Sequence, residues 1–412
     1  MRGPRVLAIV QAGGAGGRME VLTRERAKPA LSFAGAYQLI DFPLSILTHS
    51  GISDVWLSVQ FLGATLEEQV ANGRPWDLDR TRGGLRLLMP EEGTGGLDEE
   101  GFARGNADQL FRLRDQVSAF DPDVLVVLSA DHVYSYDVSE LVEAHLEAGA
   151  EATLLTTRTP SGDDARDHAV VETADGNGGG RVTGFAYKPD EPATDVIATE
   201  VIAYDPRVLR EVLEELHREL GADAEEGDTG LGDFGDHLVP RLLERGRVHA
   251  VPLEGYWRDV GQPHLYLRAH QELQAEGRGV LDVPGWPILS RQPQRSPARL
   301  LQGSEVVDSL VSPGCRVAGR VVRSTLGPGV EVHAGASVVD SVVMAGTVVH
   351  GGAHVARSII DTRCEVGEGA RVGSEQASLD DAEQLTLVGR DSRIAAGAVV
   401  AAGARLEPGT TA

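Results

Sequence analysis

Near its amino end the chain reads Gln11-Ala12-Gly13-Gly14-Ala15-Gly16-Gly17-Arg18, directly after an apolar run at residues 6–10. An apolar β-strand that ends in glycines lets the backbone close around a phosphate group. Glycines alone also mark ordinary tight turns. Here, however, Arg18 and the later segment Arg26-Ala27-Lys28-Pro29 supply the positive charge that an anion needs. We therefore interpret this stretch as a nucleotide-handling loop.

Neither of the two common nucleotide-binding fingerprints describes this loop. A P-loop ends in Gly-Lys-Ser/Thr, and this sequence has no such ending. The glycines of Gly14-Ala15-Gly16-Gly17 are also not spaced as in a dinucleotide-binding turn. The loop is therefore interpreted as belonging to another class of nucleotide-binding protein.

The composition sets limits on the type of protein. A chain of 412 residues with 42% hydrophobic and 24% charged residues predicts a globular protein of two domains. The net charge of −24 argues against a nucleic-acid partner, because such partners require a basic face. Cys315 and Cys364 are too few for a disulfide framework, so we expect buried thiols. With neither a signal peptide nor an apolar run of about 20 residues, we expect a cytoplasmic protein without membrane contact.

The first two thirds of the chain alternates between strand-like and helix-like segments. Residues 6–10, 55–59, 124–128 and 152–156 are rich in branched aliphatic residues, and amphipathic stretches such as 66–70 and 138–146 lie between them. This alternation predicts an α/β domain in which helices cover a parallel or mixed sheet. Ligands of such domains bind at the carboxyl ends of the strands. The glycine loop, Gln60 and Asp131 each follow a strand, so we expect them to meet in one crevice.

The last third of the chain repeats every six residues. Aliphatic residues recur at that spacing, with glycine and alanine between them, in four runs: Leu326, Val332 and Val338; Val343, Val349 and Val355; Ile360, Val366 and Val372; Ile394, Val400 and Leu406. A six-residue period with one inward aliphatic side chain per repeat predicts a parallel β-helix. The alternative is a valine-rich antiparallel sandwich, in which residues would alternate rather than recur by sixes. We expect a catalytic domain at 1–270, a linker at 271–302 and the β-helix at 303–412.

Two aspartates are candidate ligands for Mg²⁺. Asp131 ends the apolar run at 124–128, and Asp259 lies in Gly255-Tyr256-Trp257-Arg258-Asp259. A carboxylate at a strand end beside a phosphate loop can hold a metal ion that binds phosphate oxygens. The alternative for Asp131 is a turn or a helix cap, which is common after strands.

Two further motifs are candidates for substrate contacts. Lys188, in Tyr187-Lys188-Pro189, can pair with the phosphate of a sugar 1-phosphate, or it is simply a solvated lysine of an edge strand. Arg104-Gly105-Asn106-Ala107-Asp108 is typical of a glycine turn before a helix, with Asn106 as its N-cap.

Taken together, these motifs resemble the ADP-glucose pyrophosphorylase family of sugar-1-phosphate nucleotidyltransferases, in the same order and across nearly the whole chain. The resemblance implies a Rossmann-like α/β nucleotidyltransferase domain with a mixed, mostly parallel sheet, followed by a left-handed parallel β-helix. It implies transfer of a nucleotidyl group from a nucleoside triphosphate, most simply ATP, to glucose 1-phosphate for glycogen synthesis. It also implies Mg²⁺ as cofactor and a homo-oligomer, either a dimer or a tetramer.

The resemblance also implies a role for individual residues. Arg18, Lys28 and Asp131 are expected to be catalytic, and Arg18 and Lys28 to bind the triphosphate. Asp131 and Asp259 are the expected metal ligands. Lys188, Glu200 and Trp257 are expected at the sugar phosphate. The expected nucleotide-binding residues are Ala12, Gly13, Gly14, Gly16, Gln60, Gly105 and Asn106.

Several sugar-site segments differ from the family pattern. The usual Glu-Lys-Pro is Tyr187-Lys188-Pro189 here, and the usual Ser-Met-Gly segment is Ala198-Thr199-Glu200-Val201. We hypothesise that Glu200 replaces the lost glutamate. Because a hydrogen bond lost to one hydroxyl costs about 1–3 kcal/mol, such changes can redirect specificity. Two alternatives stay open: an enzyme for a cyclitol or pseudo-sugar 1-phosphate, using ATP, GTP or another triphosphate, and a non-catalytic regulatory subunit.

Overall fold

The computed structural model describes residues 3–14, 16–89, 103–221, 224, 228–274, 279–292, 294–378 and 381–412. Their contacts divide the chain into two compact units that interleave along the sequence. The first unit contains Met1–Ala15, Pro43–Ala130 and Ser135–Trp257. The second contains Gly16–Phe42, Asp131–Tyr134 and Arg258–Ala412.

Strands and helices alternate in the described residues up to 274. The strands are β1 (Val6–Ala12), β2 (Ser32–Phe33), β3 (Tyr37–Gln38), β4 (Asp54–Val59), β5 (Gly84–Leu88), β6 (Val124–Ser129), β7 (His132–Tyr134), β8 (Ala152–Arg158), β9 (Ala169–Thr173), β10 (Gly180–Tyr187), β11 (Val196–Tyr204), β12 (Val248–Pro252) and β13 (Trp257–Asp259). The α-helices are α1 (Asp41–His49), α2 (Gly63–Val70), α3 (Asn106–Phe120), α4 (Val138–Ala148), α5 (Pro206–Leu220), α6 (Val239–Arg245) and α7 (Pro263–Gln274). Short 3₁₀ segments lie at Gly17–Thr23, Lys28–Ala30, Ala71–Trp76 and Ala165–Asp167, and a π-helical turn at Phe234–Leu238.

The first unit is built on one mixed sheet of nine strands, in the order β5-β4-β1-β6-β11-β8-β12-β10-β9. The first four strands in this order, β5, β4, β1 and β6, are parallel to one another. Strand β11 is antiparallel to both β6 and β8, and β12 is again parallel to β8. The strands predicted from branched aliphatic runs are confirmed as β1, β4, β6 and β8. These strands are buried along most of their length, which is why their sequences are almost continuously apolar.

Helix ends in the first unit follow local chemistry. The Asp137 carboxylate accepts a hydrogen bond from the Ser139 N–H at 3.0 Å and so caps α4, which ends at Gly149 with a φ of 55°. Asp205 caps α5 in the same way, at 2.9 Å from the Arg207 N–H. Helices α3 and α5 pack into the core on the sheet through residues such as Leu110 and Leu213. The helix-like stretches at 66–70 and 138–146 are confirmed as parts of α2 and α4.

Three six-stranded parallel sheets form the β-helix of the second unit. Their orders are β14-β17-β20-β23-β26-β29, β15-β18-β21-β24-β27-β30 and β16-β19-β22-β25-β28-β31. The strands are β14 (Arg299–Leu300), β15 (Glu305–Val307), β16 (Leu310–Val311), β17 (Arg316–Val317), β18 (Arg320–Val322), β19 (Thr325–Leu326), β20 (Glu331–Val332), β21 (Ser337–Val339), β22 (Val342–Val343), β23 (Val348–Val349), β24 (His354–Ala356), β25 (Ser358–Ile360), β26 (Glu365–Val366), β27 (Arg371–Gly373), β28 (Thr386–Val388), β29 (Arg393–Ile394), β30 (Val399–Val400) and β31 (Arg405–Leu406).

The six-residue period produces the interior of this β-helix. Val332, Val349, Val366 and Ile394 pair in register across successive strands and are all buried. Because the strands of these sheets pair in parallel, the antiparallel sandwich is excluded and the predicted parallel β-helix is confirmed. Cys364 lies in the same interior and, like Cys315, is a buried free thiol, as expected.

Smaller elements of the second unit surround an aromatic cluster. Strands β2 and β3 form a hairpin, and β7 pairs with β13. The Phe33 ring packs 5.5 Å from that of Phe42 and 4.4 Å from that of His270 on α7. Every helix in the described part of the chain is too short or too polar to cross a membrane.

The burial of His270 predicts that the free energy of unfolding falls in acid. It is fully buried, and its Nε2 accepts a hydrogen bond from the Ala34 N–H at 3.0 Å, while Nδ1 donates to the Tyr266 carbonyl at 2.8 Å. Burial lowers its pKa to about 4, from 6.5. The folded state thus favours the neutral ring, and its contribution is complete above pH 6.5. It is lost as the pH falls towards 4, by about 3 kcal/mol in total.

The measurement is the free energy of unfolding in urea at pH 7 and pH 4.5. We expect His270→Gln to reduce the loss of stability between these two pH values. The control is His333→Gln, which replaces a partly exposed histidine and should keep the full loss of stability. An equal pH dependence in the wild type and His270→Gln would contradict the assignment.

Candidate functional site

The glycine loop and Gln60 leave neighbouring strands at the same edge of the sheet. Ala12 on β1 pairs with Val59 on β4, so Gly13 and Gln60 are the next residues of the two strands. A Cβ placed on Gly13 would lie 2.7 Å from Gln60 Nε2 and 3.0 Å from Gln109 Nε2. A side chain at Gly13 would force the amides of Gln60 and Gln109 to move, because both lie directly against it. Two of the residues expected in the crevice, Gly13 and Gln60, are in this way brought together.

Gly105 permits a close approach of two backbone segments at the start of α3. A Cβ on Gly105 would lie 2.2 Å from the carbonyl group of Gly232, whose oxygen accepts a hydrogen bond from the Ala107 N–H at 3.2 Å. Asn106 is the first residue of α3 and not its N-cap, which corrects the expected capping role. Its side-chain oxygen instead accepts from the Phe234 N–H at 2.5 Å. The reason is that the segment at 232–234 packs against this end of the helix.

The three residues expected at the sugar phosphate, Lys188, Glu200 and Trp257, belong to the first unit. The Tyr187 hydroxyl donates a hydrogen bond to Asp233 at 3.0 Å, and burial, followed by the negative charge of Asp233, raises the pKa of this phenol. Lys188 is exposed, with its Nζ 4.5 Å from the centre of the Tyr187 ring. The Trp257 ring is buried and lies 5.7 Å from that of His168. Tyr187, which replaces the glutamate of the family pattern, is therefore held against Asp233.

Glu200 has a backbone conformation that favours glycine. Its φ is 58°, and it lies where the pairing of β11 with β8 shifts register between Ala198 and Ile202. A non-glycine residue in this left-handed region costs of the order of 1 kcal/mol, and such residues cluster at functional sites. Lys188 shares the feature, with a φ of 47°. Both expected sugar-site side chains thus leave the backbone from strained positions.

A charged cluster in the second unit joins three of the expected residues. Lys28 Nζ lies 2.5 Å from Asp131 Oδ2 and 3.8 Å from Asp259 Oδ1. Lys28 is buried, and each carboxylate is about one fifth exposed. The short helical turn Lys28–Ala30, which begins before Pro29, and the strand pair β7-β13 position the three side chains. The sequence predicted a shared site for these residues, and the structure brings them together.

The electrostatics of the cluster favour a charged lysine. Burial acts to lower the pKa of Lys28, but the carboxylates of Asp131 and Asp259 outweigh burial, so the pKa is raised above its usual value. His132 is buried, with its Nε2 3.8 Å from an oxygen of each carboxylate. Its position directly after Asp131 was the signal that could have identified it.

Arg18 follows the loop on the 3₁₀ segment Gly17–Thr23 and is exposed. Its positive charge acts to lower the pKa of Lys28, so the two cations are electrostatically coupled. Gly16 has a φ of 67°, and its carbonyl accepts a hydrogen bond from the Thr23 hydroxyl at 2.8 Å. Two cations that influence each other in this way are suited to bind an anion with several negative charges, such as a triphosphate.

Asp131 and Asp259 fit a divalent metal by the chemistry of their donors. Both present carboxylate oxygens to a single cation, the Lys28 ammonium, so a cation already lies between them. Mg²⁺ is commonly held by one or two carboxylates together with substrate phosphates and water. Among the described residues no group of three or more acidic, histidine or cysteine side chains forms a complete metal cage. The two aspartates therefore suit a metal that arrives with a phosphate ligand.

Ion pairs attach the basic segment to the β-helix within the second unit. Arg26 and Asp361 form a pair in which both side chains are buried. Arg405 Nε lies 2.8 Å from Glu20, and the exposed pair Arg24–Glu407 spans 3.2 Å. The sequence did not predict these contacts, because the partners are more than 300 residues apart in the chain.

Two protein-family models match this chain. The family model described as nucleotidyl transferase matches residues 7–276, and the model described as GlmU-like, C-terminal hexapeptide matches residues 296–391. The second match is consistent with the left-handed form of the β-helix.

Curated relatives match most of the chain. The glucose-1-phosphate adenylyltransferase of Fusobacterium nucleatum is 30% identical over 342 residues, which cover 82% of this chain and 85% of the relative. The enzyme of the same name from Thermosipho africanus is 33% identical over 335 residues, covering 81% and 77%. That of Clostridium acetobutylicum is 33% identical over 330 residues, covering 79% and 83%.

Proposed function

Because the chain belongs to the nucleotidyl transferase family, we propose that it transfers an adenylyl group from ATP to glucose 1-phosphate and releases pyrophosphate. The product is ADP-glucose, the glucosyl donor for glycogen synthesis. The observation that carries the proposal is the cluster of Lys28, Asp131 and Asp259, in which a buried cation lies against two carboxylates. The choice of substrates is supported by the relatives, which are glucose-1-phosphate adenylyltransferases.

The reaction balances as a single displacement at phosphorus. An oxygen of the glucose 1-phosphate phosphate attacks the α-phosphorus of ATP and forms a new P–O bond. The bond from the α-phosphorus to the oxygen that bridges to the β-phosphorus breaks, and pyrophosphate leaves with that electron pair. No covalent enzyme intermediate is required, so the protein acts by positioning and by electrostatic stabilisation.

Each cation of the chain has a role in this scheme. Arg18, exposed after the glycine loop, binds the β- and γ-phosphates. Lys28 is charged because Asp131 and Asp259 raise its pKa, and it stabilises the negative charge that builds up on the departing pyrophosphate. Gly13, Gly14 and Gly16 let the backbone approach the nucleotide, and Lys188 pairs with the phosphate of the sugar.

Asp131 and Asp259 are the residues that would hold the divalent metal, which we propose to be Mg²⁺. When bound, Mg²⁺ neutralises negative charge on phosphate oxygens. Since Lys28 already contacts both carboxylates, its ammonium group is held at the place where the phosphates and the metal meet the protein. His132 adds a buried polar group at 3.8 Å from each carboxylate.

The sugar-site residues that differ from the family pattern favour a second candidate function, in which the acceptor is a cyclitol or pseudo-sugar 1-phosphate. Tyr187 is bonded to Asp233 and does not offer the carboxylate of the family pattern. Glu200 brings a carboxylate within electrostatic range of the Tyr187 hydroxyl, whose pKa it acts to raise. We propose that Glu200 contacts acceptor hydroxyls in place of the missing glutamate, and that Trp257 contributes to the same pocket.

We also propose that the enzyme works in the cytoplasm, where ATP and sugar phosphates are available, and that it is a homo-oligomer, either a dimer or a tetramer. The flat parallel sheets of the β-helix offer surfaces for such contacts. The domain limits of 1–270, 271–302 and 303–412 also remain a prediction.

Pyrophosphate release from the purified protein in the presence of Mg²⁺ tests the function. ATP, GTP, UTP and dTTP are each combined with glucose 1-phosphate and with a panel of other sugar and cyclitol 1-phosphates. Turnover with ATP and glucose 1-phosphate supports the proposal. Turnover with another acceptor alone would move the enzyme to the second candidate. No turnover with any pair, while ligands still bind, would indicate a non-catalytic regulatory subunit.

Glu200→Gly separates the substrate role from stability. We expect kcat/KM for glucose 1-phosphate to fall about 10-fold or more, because a hydrogen bond to a hydroxyl contributes about 1–3 kcal/mol. Stability should not fall, because a φ of 58° suits glycine better than glutamate. Steady-state kinetics and urea unfolding measure the two effects. Asp121→Gly, at a φ of 54° at the end of α3, is the matched control without loss of activity. Full activity of Glu200→Gly would remove the proposed role.

A further inference from the structure

Two side-chain amides that meet beside Gly13 each carry one buried atom without a hydrogen-bond partner among the described residues. Gln60 Oε1 and Gln109 Nε2 are buried, and neither has a partner among the described residues. Both side chains lie against Gly13, where a Cβ would come within 2.7 Å and 3.0 Å of their Nε2 atoms. Gln109 is only 5% exposed. Leaving such groups unsatisfied costs about 1–3 kcal/mol each, so their arrangement calls for a ligand.

The surroundings of these amides form a cavity that suits a flat aromatic group. It has a volume of about 230 Å³ and lies between the ends of β4 and β5 and one face of α3. Val59, Leu88, Met89 and Leu113 give it apolar walls, while its polar side chains are Ser58, Gln60, Gln109, Arg112 and Gln116. A few polar groups among apolar walls are typical of sites that bind a small ligand and fix its orientation.

The two orphan atoms match the edge of adenine. Adenine offers an amino group that donates a hydrogen bond and a neighbouring ring nitrogen that accepts one. Gln60 Oε1 is an acceptor, and Gln109 Nε2 is a donor. Guanine and uracil place a carbonyl oxygen where adenine and cytosine have an amino group, so the same pair of atoms would face them in the wrong order. Cytosine, with an adenine-like edge, is smaller than a purine.

We propose that Gln109 is a specificity-determining residue that, with Gln60, selects adenine as the base of the nucleoside triphosphate. The inference rests on the proposed function for the choice of ATP, and it adds a residue that none of the sequence motifs identified. Gln109 is held in position by α3, whose first turn is anchored to β1 because Gln11 Nε2 donates to the Asn106 carbonyl at 2.8 Å.

The test compares Gln109→Leu and Gln109→Glu with the wild type, using ATP, GTP, CTP and UTP. Leucine removes both polar atoms, and glutamate keeps the shape but replaces the donor with an acceptor. For both variants we expect kcat/KM for ATP to fall about 10- to 100-fold, with changes below about threefold for the other triphosphates. Calorimetric titration with the same nucleotides and Mg²⁺ measures binding independently of turnover. Gln376→Leu is the matched control, because it makes the same change at an exposed glutamine that does not line the cavity.

The outcomes separate this inference from the proposed function. A loss of ATP preference in both Gln109 variants, but not in Gln376→Leu, supports the inference. An unchanged ratio of ATP to GTP, or an equal effect of Gln376→Leu, overturns it while adenylyl transfer by the wild type still stands. If the wild type transfers no adenylyl group but binds ATP more tightly than GTP in a Gln109-dependent way, the proposed function fails and the inference stands. Equal binding of all four triphosphates by the wild type would also overturn it.

Discussion

Asp131→Asn will lower kcat for adenylyl transfer about a thousandfold, which corresponds to roughly 4 kcal/mol of transition-state stabilisation. Asparagine keeps the shape of aspartate but removes the negative charge. That charge lies 2.5 Å from Lys28 Nζ and is one of two carboxylates available to a divalent metal. Removing it weakens metal binding and removes the largest influence that raises the pKa of Lys28. Steady-state kinetics over a range of Mg²⁺ concentrations provide the measurement.

A matched control distinguishes this effect from a general loss of charge. Asp195→Asn removes an exposed carboxylate from the surface pair with Arg158, which contributes at most about 1 kcal/mol, and should leave kcat unchanged. Asp259→Asn should resemble Asp131→Asn, because the two carboxylates share Lys28. If kcat of a folded Asp131→Asn protein stays within tenfold of the wild type, the assignment of the cluster to catalysis is wrong.

Asp361→Asn will lower the free energy of unfolding by about 3–5 kcal/mol. Asp361 and Arg26 are both buried, so the substitution leaves a guanidinium group without its counter-charge away from water. Lys28 lies two residues after Arg26, so we also expect kcat to fall as the basic segment loses its attachment. Urea unfolding and steady-state kinetics measure the two effects.

Two further variants test the cause of that loss. Glu407→Gln breaks the exposed pair with Arg24 on the same segment and should cost less than about 1 kcal/mol. The double variant Arg26→Met with Asp361→Leu removes both charges together and should recover most of the stability, because it leaves no unpaired charge in the interior. Equal costs for Asp361→Asn and Glu407→Gln would show that burial of the pair does not matter.

Much of the fold could be predicted because its signals are local. The run at residues 124–128 became β6 because continuous branched aliphatic residues suit a strand buried on both faces. The six-residue period placed Val332 and Val349 in the interior of the β-helix because each turn repeats the same side-chain direction. The glycine loop was recognisable because its glycines follow an apolar run and are followed by Arg18 and Lys28.

Other parts of the candidate site could not be predicted because they depend on distant parts of the chain. Gln109 has no motif of its own, and its meeting with Gln60 depends on how α3 lies beside β4. His132 lies near Asp259 because β7 pairs with β13, and this pairing joins segments that are far apart in the sequence. Tyr187 marked a departure from the family pattern, but its bond to Asp233 depends on a residue 46 positions later.

The ion pairs of residues 20–26 with the β-helix limit how this protein can be recombined with its relatives. Arg405, Asp361 and Glu407 are the carboxyl-terminal partners of a segment that lies at the opposite end of the gene. A chimera that takes its β-helix from another family member would inherit only one half of each pair, and Arg26 would lose a buried partner. Exchange of the β-helix should therefore give a stable protein only when residues 20–26 are exchanged with it. For the same reason, we expect substitutions in these two stretches to be coupled during evolution.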